Sequence, residues 1–305
     1  MRKYSEIWWR PPVRAALLCG ALAVGIAGAA TAQTYSDWGN VMSAESLSGS
    51  GSEVNTDTSG DGCPILDPYT NDLFMASNRP GGHGGQDIWI AHWNGSGWDN
   101  PVNAGSAINT DADEFCPSPA RGNRFFFVRG HLPSGPTDIY VSKRNPKGGF
   151  GPPQMLPAGD NAINSPAQEW SPSWFEANGH EYLYFSSTRE GRQRIYYSVD
   201  FGPAYLADGG VNSSAADARP NVRHDGLEIV WDSTRTGSRL TDIWTARRSS
   251  VDAEWGAAVQ LGTDINSAAG ESRASLSWDG TRLMFGSGRS GAGDIYTATR
   301  TKNGH

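Results

Sequence analysis

Read for alternation of apolar and polar residues, the chain breaks into strand-length segments separated by glycine-, proline- and asparagine-rich turns, with no helix-period stretch of useful length. One kind of segment follows a glycine-rich turn and reads Asp87-Ile88-Trp89, Asp138-Ile139-Tyr140, Arg194-Ile195-Tyr196, Asp242-Ile243-Trp244 and Asp294-Ile295-Tyr296, at successive spacings of 51, 56, 48 and 52 residues. A second kind lies upstream of each: Leu73-Phe74-Met75, Phe125-Phe126-Phe127, Leu183-Tyr184-Phe185, Ile229-Val230-Trp231 and Leu283-Met284-Phe285. A third landmark is an aromatic residue followed by an asparagine. Trp98, Phe201 and Trp255 precede Asn109, Asn212 and Asn266 by 11 residues, and Phe150 precedes Asn164 by 14.

These landmarks predict four short strands per repeat: an inner one after the asparagine, two central ones and an outer one near the aromatic. A twisted four-stranded sheet cannot bury both faces alone, but it can in a closed ring. The expected fold is therefore all-β, a five-bladed propeller of four-stranded antiparallel blades. The fifth repeat ends near Arg300 without an outer strand, and the segment around Trp38, ahead of Asn55, supplies it. The N-terminal strand is thus expected to complete the last blade. The blades fall at about 56–108, 109–163, 164–211, 212–265, and 266–305 joined by 33–55.

Composition agrees with this reading. The 305 residues hold 38 Gly and 18 Pro, with aromatics throughout. The first 32 residues read as a signal peptide: Arg2, Lys3, Arg10 and Arg14 precede an apolar run, Ala15 to Ala29, and Ala30-Thr31-Ala32 offers a cleavage site. The run is too short to span a bilayer as a helix. The expected location is periplasmic or secreted, after cleavage behind Ala32. Loss of four basic residues and Glu6 takes the net charge from −7 to −10, which disfavours nucleic acid as a partner. A monomer is expected. In an oxidising compartment Cys63 and Cys116, on neighbouring inner strands, are disulfide candidates.

The wording of the repeat is clearest in Ser77-Asn78-Arg79 with Gly81-Gly82 and Asp87-Ile88-Trp89. Ser233-Thr234-Arg235 and Ser287-Gly288-Arg289, each with its Asp-Ile-aromatic segment, follow it closely. In these residues the chain resembles the WD40-like PD40 repeats of TolB-type propellers. That resemblance implies an exported propeller and leaves the function open, since one fold hosts many roles.

Candidate chemistry follows the repeat. A carboxylate stands five residues after each asparagine, at Glu114, Glu169, Asp217 and Glu271, and Asp61 fills the position in the first blade. The five acids are expected to ring one mouth of the central channel, with Arg79, Arg189, Arg235 and Arg289 on the same face and His131 in the corresponding slot of blade two. Repetition marks a structural device, an arginine pairing with the strand-opening aspartate of each hairpin, helped by the ring acid. The rival is a polar mouth for a ligand, where a calcium ion is the one cofactor the acids invite. Blades two and three depart from the pattern. Blade two lacks the arginine, while blade three carries Arg189 but has Arg194 in place of the aspartate and sets Trp170 and Trp174 beside Glu169.

Metal-binding histidine pairs, a nucleophile elbow and a phosphate loop are absent from the sequence. The leading expectation is a binding or scaffold propeller of the cell envelope that holds a protein segment, peptide or glycan at the acidic mouth. The alternative is a carbohydrate-active enzyme, a glycoside hydrolase or lyase, with Glu114, Glu169 and Asp217 as candidate axial carboxylates.

Overall fold

The computed structural model describes residues 33–49, 52–56, 59–146, 148–291 and 293–303, so the expected signal peptide lies outside the described residues. Strand β1 (Gly39–Ser43) is followed by blade one, built of β2 (Asp61–Leu66), β3 (Leu73–Ser77), β4 (Asp87–Ala91) and β5 (Val102–Asn103). Blade two holds β6 (Asp113–Ala120), β7 (Arg124–Gly130), β8 (Thr137–Lys143) and β9 (Gln154–Met155). Blade three holds β10 (Glu169–Ala177), β11 (His180–Ser187), β12 (Arg194–Val199) and β13 (Ala204–Leu206). Blade four holds β14 (Asp217–Val222), β15 (Glu228–Ser233), β16 (Asp242–Arg247) and β17 (Val259–Gln260). In blade five, β18 (Glu271–Leu276), β19 (Arg282–Ser287) and β20 (Asp294–Thr299) are completed by β1, which pairs antiparallel with β20. The inner strands β2, β6, β10, β14 and β18 touch in succession, and β18 returns to β2, so the propeller is closed.

The blades are joined by one side chain repeated five times. The asparagine that opens each repeat reaches back to the isoleucine of the preceding blade's third strand and pairs with it as a strand edge would. Asn109 accepts from the Ile88 N–H at 2.9 Å and donates to its carbonyl at 2.9 Å. Asn164 does the same with Ile139, Asn212 with Ile195 and Asn266 with Ile243. Asn55 takes Ile295 of the last blade, which closes the ring. Only asparagine offers a donor and an acceptor at this reach, which is why it recurs beside isoleucine.

Each inner strand carries a β-bulge at one position. Cys63, Cys116, Ser171, Arg219 and Arg273 all have left-handed backbone, with φ between 48° and 56°. Each is followed by Pro64, Pro117, Pro172, Pro220 or Ala274, and the register with the second strand slips there. In four blades the proline has no N–H for the ladder and the strand skips a residue where it sits, and blade five makes the same bulge with Ala274. The consequence is that these five side chains turn toward the axis.

Closure has a second fastening. Glu228 of β15, 1% exposed, accepts both terminal nitrogens of Arg300 at 2.8 and 2.6 Å, and also receives Arg223 and Arg247. Arg300 in turn stands 3.9 Å from the ring centre of Tyr35 and 4.2 Å from that of Trp38. One carboxylate thus ties blade four, the chain's last strand and its N-terminal segment. Burial opposes ionisation of Glu228, but the three arginines prevail and hold its carboxyl below the ordinary value of 4.5. The folded state therefore binds this proton less readily than the unfolded chain, and the stabilisation is complete above pH 4.5 and lost as pH falls through the lower folded value. Replacing Arg300 with alanine breaks a buried pair and is expected to cost about 3 kcal/mol, read as a lower urea midpoint. The gap in melting temperature between wild type and Glu228→Gln is expected to narrow between pH 7 and pH 3. A gap independent of pH removes Glu228 as the titrating group.

Candidate functional site

The five repeat acids are sealed inside the blades. Asp61, Glu114, Glu169, Asp217 and Glu271 are between 0 and 3% exposed. Each folds back onto the turn that begins its own blade. Glu169 accepts from the Ser165 N–H at 3.0 Å, the Ser165 hydroxyl at 2.6 Å and the Ser187 hydroxyl at 2.7 Å. Glu271 repeats this with Ser267 and Ser287, Asp217 with Ser213 and Ser233, and Glu114 with Thr110. The hairpin arginine completes the seal. Arg189 and Arg289 reach Glu169 and Glu271 at 3.3 and 3.4 Å, and Arg79 and Arg235 reach Asp61 and Asp217 at 2.7 and 2.5 Å. Each arginine also donates to the carbonyls just ahead of the blade's asparagine, as Arg235 does to Gly210 and Val211.

Two expectations are corrected here. The arginines pair with the repeat acids, not with the strand-opening aspartates, which fasten their own hairpins instead. Asp87 accepts the His83 N–H at 2.6 Å and the Asn103 amide at 2.8 Å, and Asp242 accepts from Gln260. Blade two also has its arginine: Arg129 comes from within β7, donates to Glu114 at 2.7 Å and takes the carbonyl of Ile108. A seal supplied from a different sequence position is invisible to spacing. With every acid bonded inside its blade, none lines the axial channel among the described residues, whose walls come from the bulge segments.

The remaining candidates of blades two and three scatter. Trp174 is 8% exposed, bonds Glu181 at 3.1 Å and lies under Arg124. Trp170 is half-buried, edge-on to Phe115, with Arg219 over its face at 4.9 Å. Neither offers an open ring face. His131 is exposed on its loop, and Arg194 pairs with Glu190 at 3.3 Å. Asp138 differs from the other strand-opening aspartates. Half-buried, it has no hydrogen-bond or ion-pair partner among the described residues, and burial, followed by the charge of Glu169, raises its pKa.

Cys63 and Cys116 form a disulfide with Cα atoms 4.8 Å apart. It lies on the axis, because both cysteines occupy the bulge position. Such a bond is what an oxidising compartment permits. No helix among the described residues is long and apolar enough to cross a membrane, and no three His, Cys, Asp or Glu side chains among them gather as a metal centre.

A concavity much roomier than the axial one lies on the opposite face, where inner strands end. A groove of about 410 Å³ opens between the β2–β3 turn of blade one and the β18–β19 turn of blade five. Its walls include Trp93, Trp98 and Trp278, with Asp67, Asn71, Asp279 and Arg282 among its polar groups. Asp67 shapes the first turn by accepting the N–H groups of Tyr69 and Thr70. Asp279 shapes the second by accepting from Ser277 and Thr281. Tyr69, 65% exposed, meets Trp278 edge-on at 5.3 Å, and Trp278 stacks on His224 of blade four at 5.3 Å. The aromatic row thus crosses three blades. Sequence reasoning missed it because these turns differ from blade to blade, and the available signal was aromatic residues inside turn-forming segments, Pro68-Tyr69-Thr70-Asn71 and Trp278-Asp279-Gly280.

No protein-family model and no curated protein matches the sequence. Solved structures share the fold. A thermostable family-43 glycoside hydrolase aligns with a TM-score of 0.56 at 15% identity, over 82% of this chain and 92% of its own. The catalytic domain of the Coprinopsis cinerea GH62 α-L-arabinofuranosidase gives 0.53 at 12% identity, over 84% and 95%. A protein described as putative TolB from Agrobacterium tumefaciens gives 0.47 at 19% identity, over 74% and 69%. At these identities the likeness is one of fold. It shows the five-bladed propeller without singling out the expected PD40 type.

If the repeat acids are structural, Glu271→Gln is expected to destabilise by about 3 kcal/mol, because it leaves the Arg289 charge without its partner. Adding Arg289→Met is expected to recover part of the loss in urea unfolding. Independent, additive effects of the two changes count against the seal.

Proposed function

We propose that this chain is an exported, carbohydrate-directed propeller that holds a saccharide in the aromatic groove between blades one and five. The observation that carries the reading is the groove's accessible make-up: the rings of Trp93 and Trp278 beside the Asp279 carboxylate, the Asn71 amide and the Arg282 guanidinium, with Trp98 and Asp67 buried behind them. Sugars present apolar C–H faces and a rim of hydroxyls, so they suit aromatic faces flanked by donors and acceptors held in place. The groove lies within the usual size of ligand pockets, roughly 300–1,000 Å³. Export is supported by the disulfide and by the leader expected from sequence. The site proposed here replaces the acidic mouth expected from the repeat, since those acids are closed off within their blades.

Arabinose-containing polysaccharides are the first ligands to try, because a protein sharing the fold is described as an α-L-arabinofuranosidase. In affinity electrophoresis through arabinan, xylan and unrelated glucans, wild type is expected to be retarded by at least one pentose polymer. Tyr69→Ala and Trp278→Ala are each expected to weaken retention about tenfold, the scale of one lost aromatic contact. Tyr69 is exposed enough for its removal to leave the fold intact. Retention unchanged in both variants, or absent for every polymer, overturns the reading.

A hydrolytic reading is favoured by one specific observation. Asp138 is a partnerless carboxyl with a raised pKa, the property of a general acid, and Glu169 is the charge it feels. On that reading the chemistry sits on the face where the blades begin, away from the groove, and Asp138→Asn lowers release of reducing sugar at least a hundredfold while retention in the groove is unchanged. No release by wild type across the panel leaves binding alone.

A further inference from the structure

The five bulge residues meet at the axis, and their identities break the symmetry. Blades one and two contribute the Cys63–Cys116 disulfide, and blade three contributes Ser171, whose hydroxyl rests 3.0 Å from the Cys116 sulfur. Blades four and five contribute Arg219 and Arg273. Gly62 makes room for the last of these, since a Cβ there would stand 3.3 Å from Cδ and Nη1 of Arg273.

The charges around these arginines do not balance. Asp232, 1% exposed, is the acid placed between them. One of its oxygens takes Nη1 of Arg219 at 2.6 Å, and the other takes the backbone N–H of Arg273 at 3.0 Å. The Arg219 Nε is buried without a partner, and the Arg273 guanidinium has no hydrogen bond or ion pair among the described residues. The latter is open to the channel but ringed by protein. Its withdrawal from bulk water, then the charge of Arg219, brings its pKa down to about 10, with Asp232 acting the other way. Two cations and one anion leave one positive charge facing a cavity of about 30 Å³. The cavity has room for two or three water-sized particles, at roughly 10–15 Å³ each, and none for a sugar acid or nucleotide.

We propose that the channel axis is a binding site for a small monovalent anion of chloride size, held between the guanidinium groups of Arg219 and Arg273. The anion supplies the missing negative charge and cross-links the inner strands of blades four and five. The site is independent of the saccharide groove, which lies at the face where the inner strands end.

Chloride is the probe. In a titration followed by chloride-35 NMR, wild type is expected to broaden the line saturably, and Arg273→Gln to weaken binding at least tenfold. Arg273→Gln breaks no side-chain bond, so it is the variant expected to fold. Melting temperature is expected to rise with sodium chloride above its value in sodium gluconate at equal ionic strength, in wild type only. Diffraction from wild-type crystals soaked in bromide needs no variant. An anomalous peak within hydrogen-bonding distance of both guanidinium groups supports the site. No peak at the axis, or broadening equal in wild type and Arg273→Gln, overturns it.

Discussion

Every joint between blades depends on a carboxamide standing in for a strand. A propeller blade must hand the chain from its outer edge to the next inner strand, and the crossing leaves backbone groups of the third strand unpaired. The opening asparagine satisfies both groups of one isoleucine, and this fixes where the next blade starts. The residue before it is a buried aliphatic in each repeat: Val54, Ile108, Ile163, Val211 and Ile265. The residue after it is a serine or threonine, whose N–H and hydroxyl are taken by the repeat acid. The arginine then covers the acid and collects the turn's carbonyls. Burying five acids in this way is tolerable because each carboxylate is both charge-paired and hydrogen-bonded.

The bulge carries the same logic to the axis. Proline beside a left-handed residue prevents the inner strands from pairing continuously, and it turns one side chain per blade inward. No seal needs that side chain, so its chemistry is free to vary. The chain uses the freedom asymmetrically, with a covalent bond on one side of the axis and two cations on the other.

How much of this was legible in the sequence depends on whether a feature repeats. Ile88 and Asn109 recur at steady spacing because each is half of the same joint, so blade number and closure could be read from residues alone. The acid at Glu114 or Glu271 was legible as a position, but its role was not. Spacing cannot tell whether a carboxylate faces a channel or folds back on a serine four residues earlier. Arg129 escaped because it reaches Glu114 from inside a strand instead of from the hairpin loop. Cys63 and Cys116 were legible as neighbours, since equal distance from the repeat acid places both at the same level of the ring. Tyr69 and Trp278 carried no periodic signal, since the turns that hold them have no shared duty.

That last point explains where the unrepeated chemistry gathers. On the face where blades begin, asparagine, acid, serine and arginine occupy the positions a ligand would need. On the other face the turn between first and second strands has only to reverse the chain. Blades two and three do this with short glycine turns, Gly122-Asn123 and Asn178-Gly179. Blades four, five and one use longer segments bearing His224, Trp278 and Tyr69. Those three blades also hold the closing seam, where Glu228 grips Arg300 and the Tyr35 hydroxyl donates to the carbonyl of Asp279. The groove is therefore built beside the closing seam of the ring. A ligand lying across Tyr69 and Trp278 bridges the first and last blades, so its binding and the closure of the propeller favour one another.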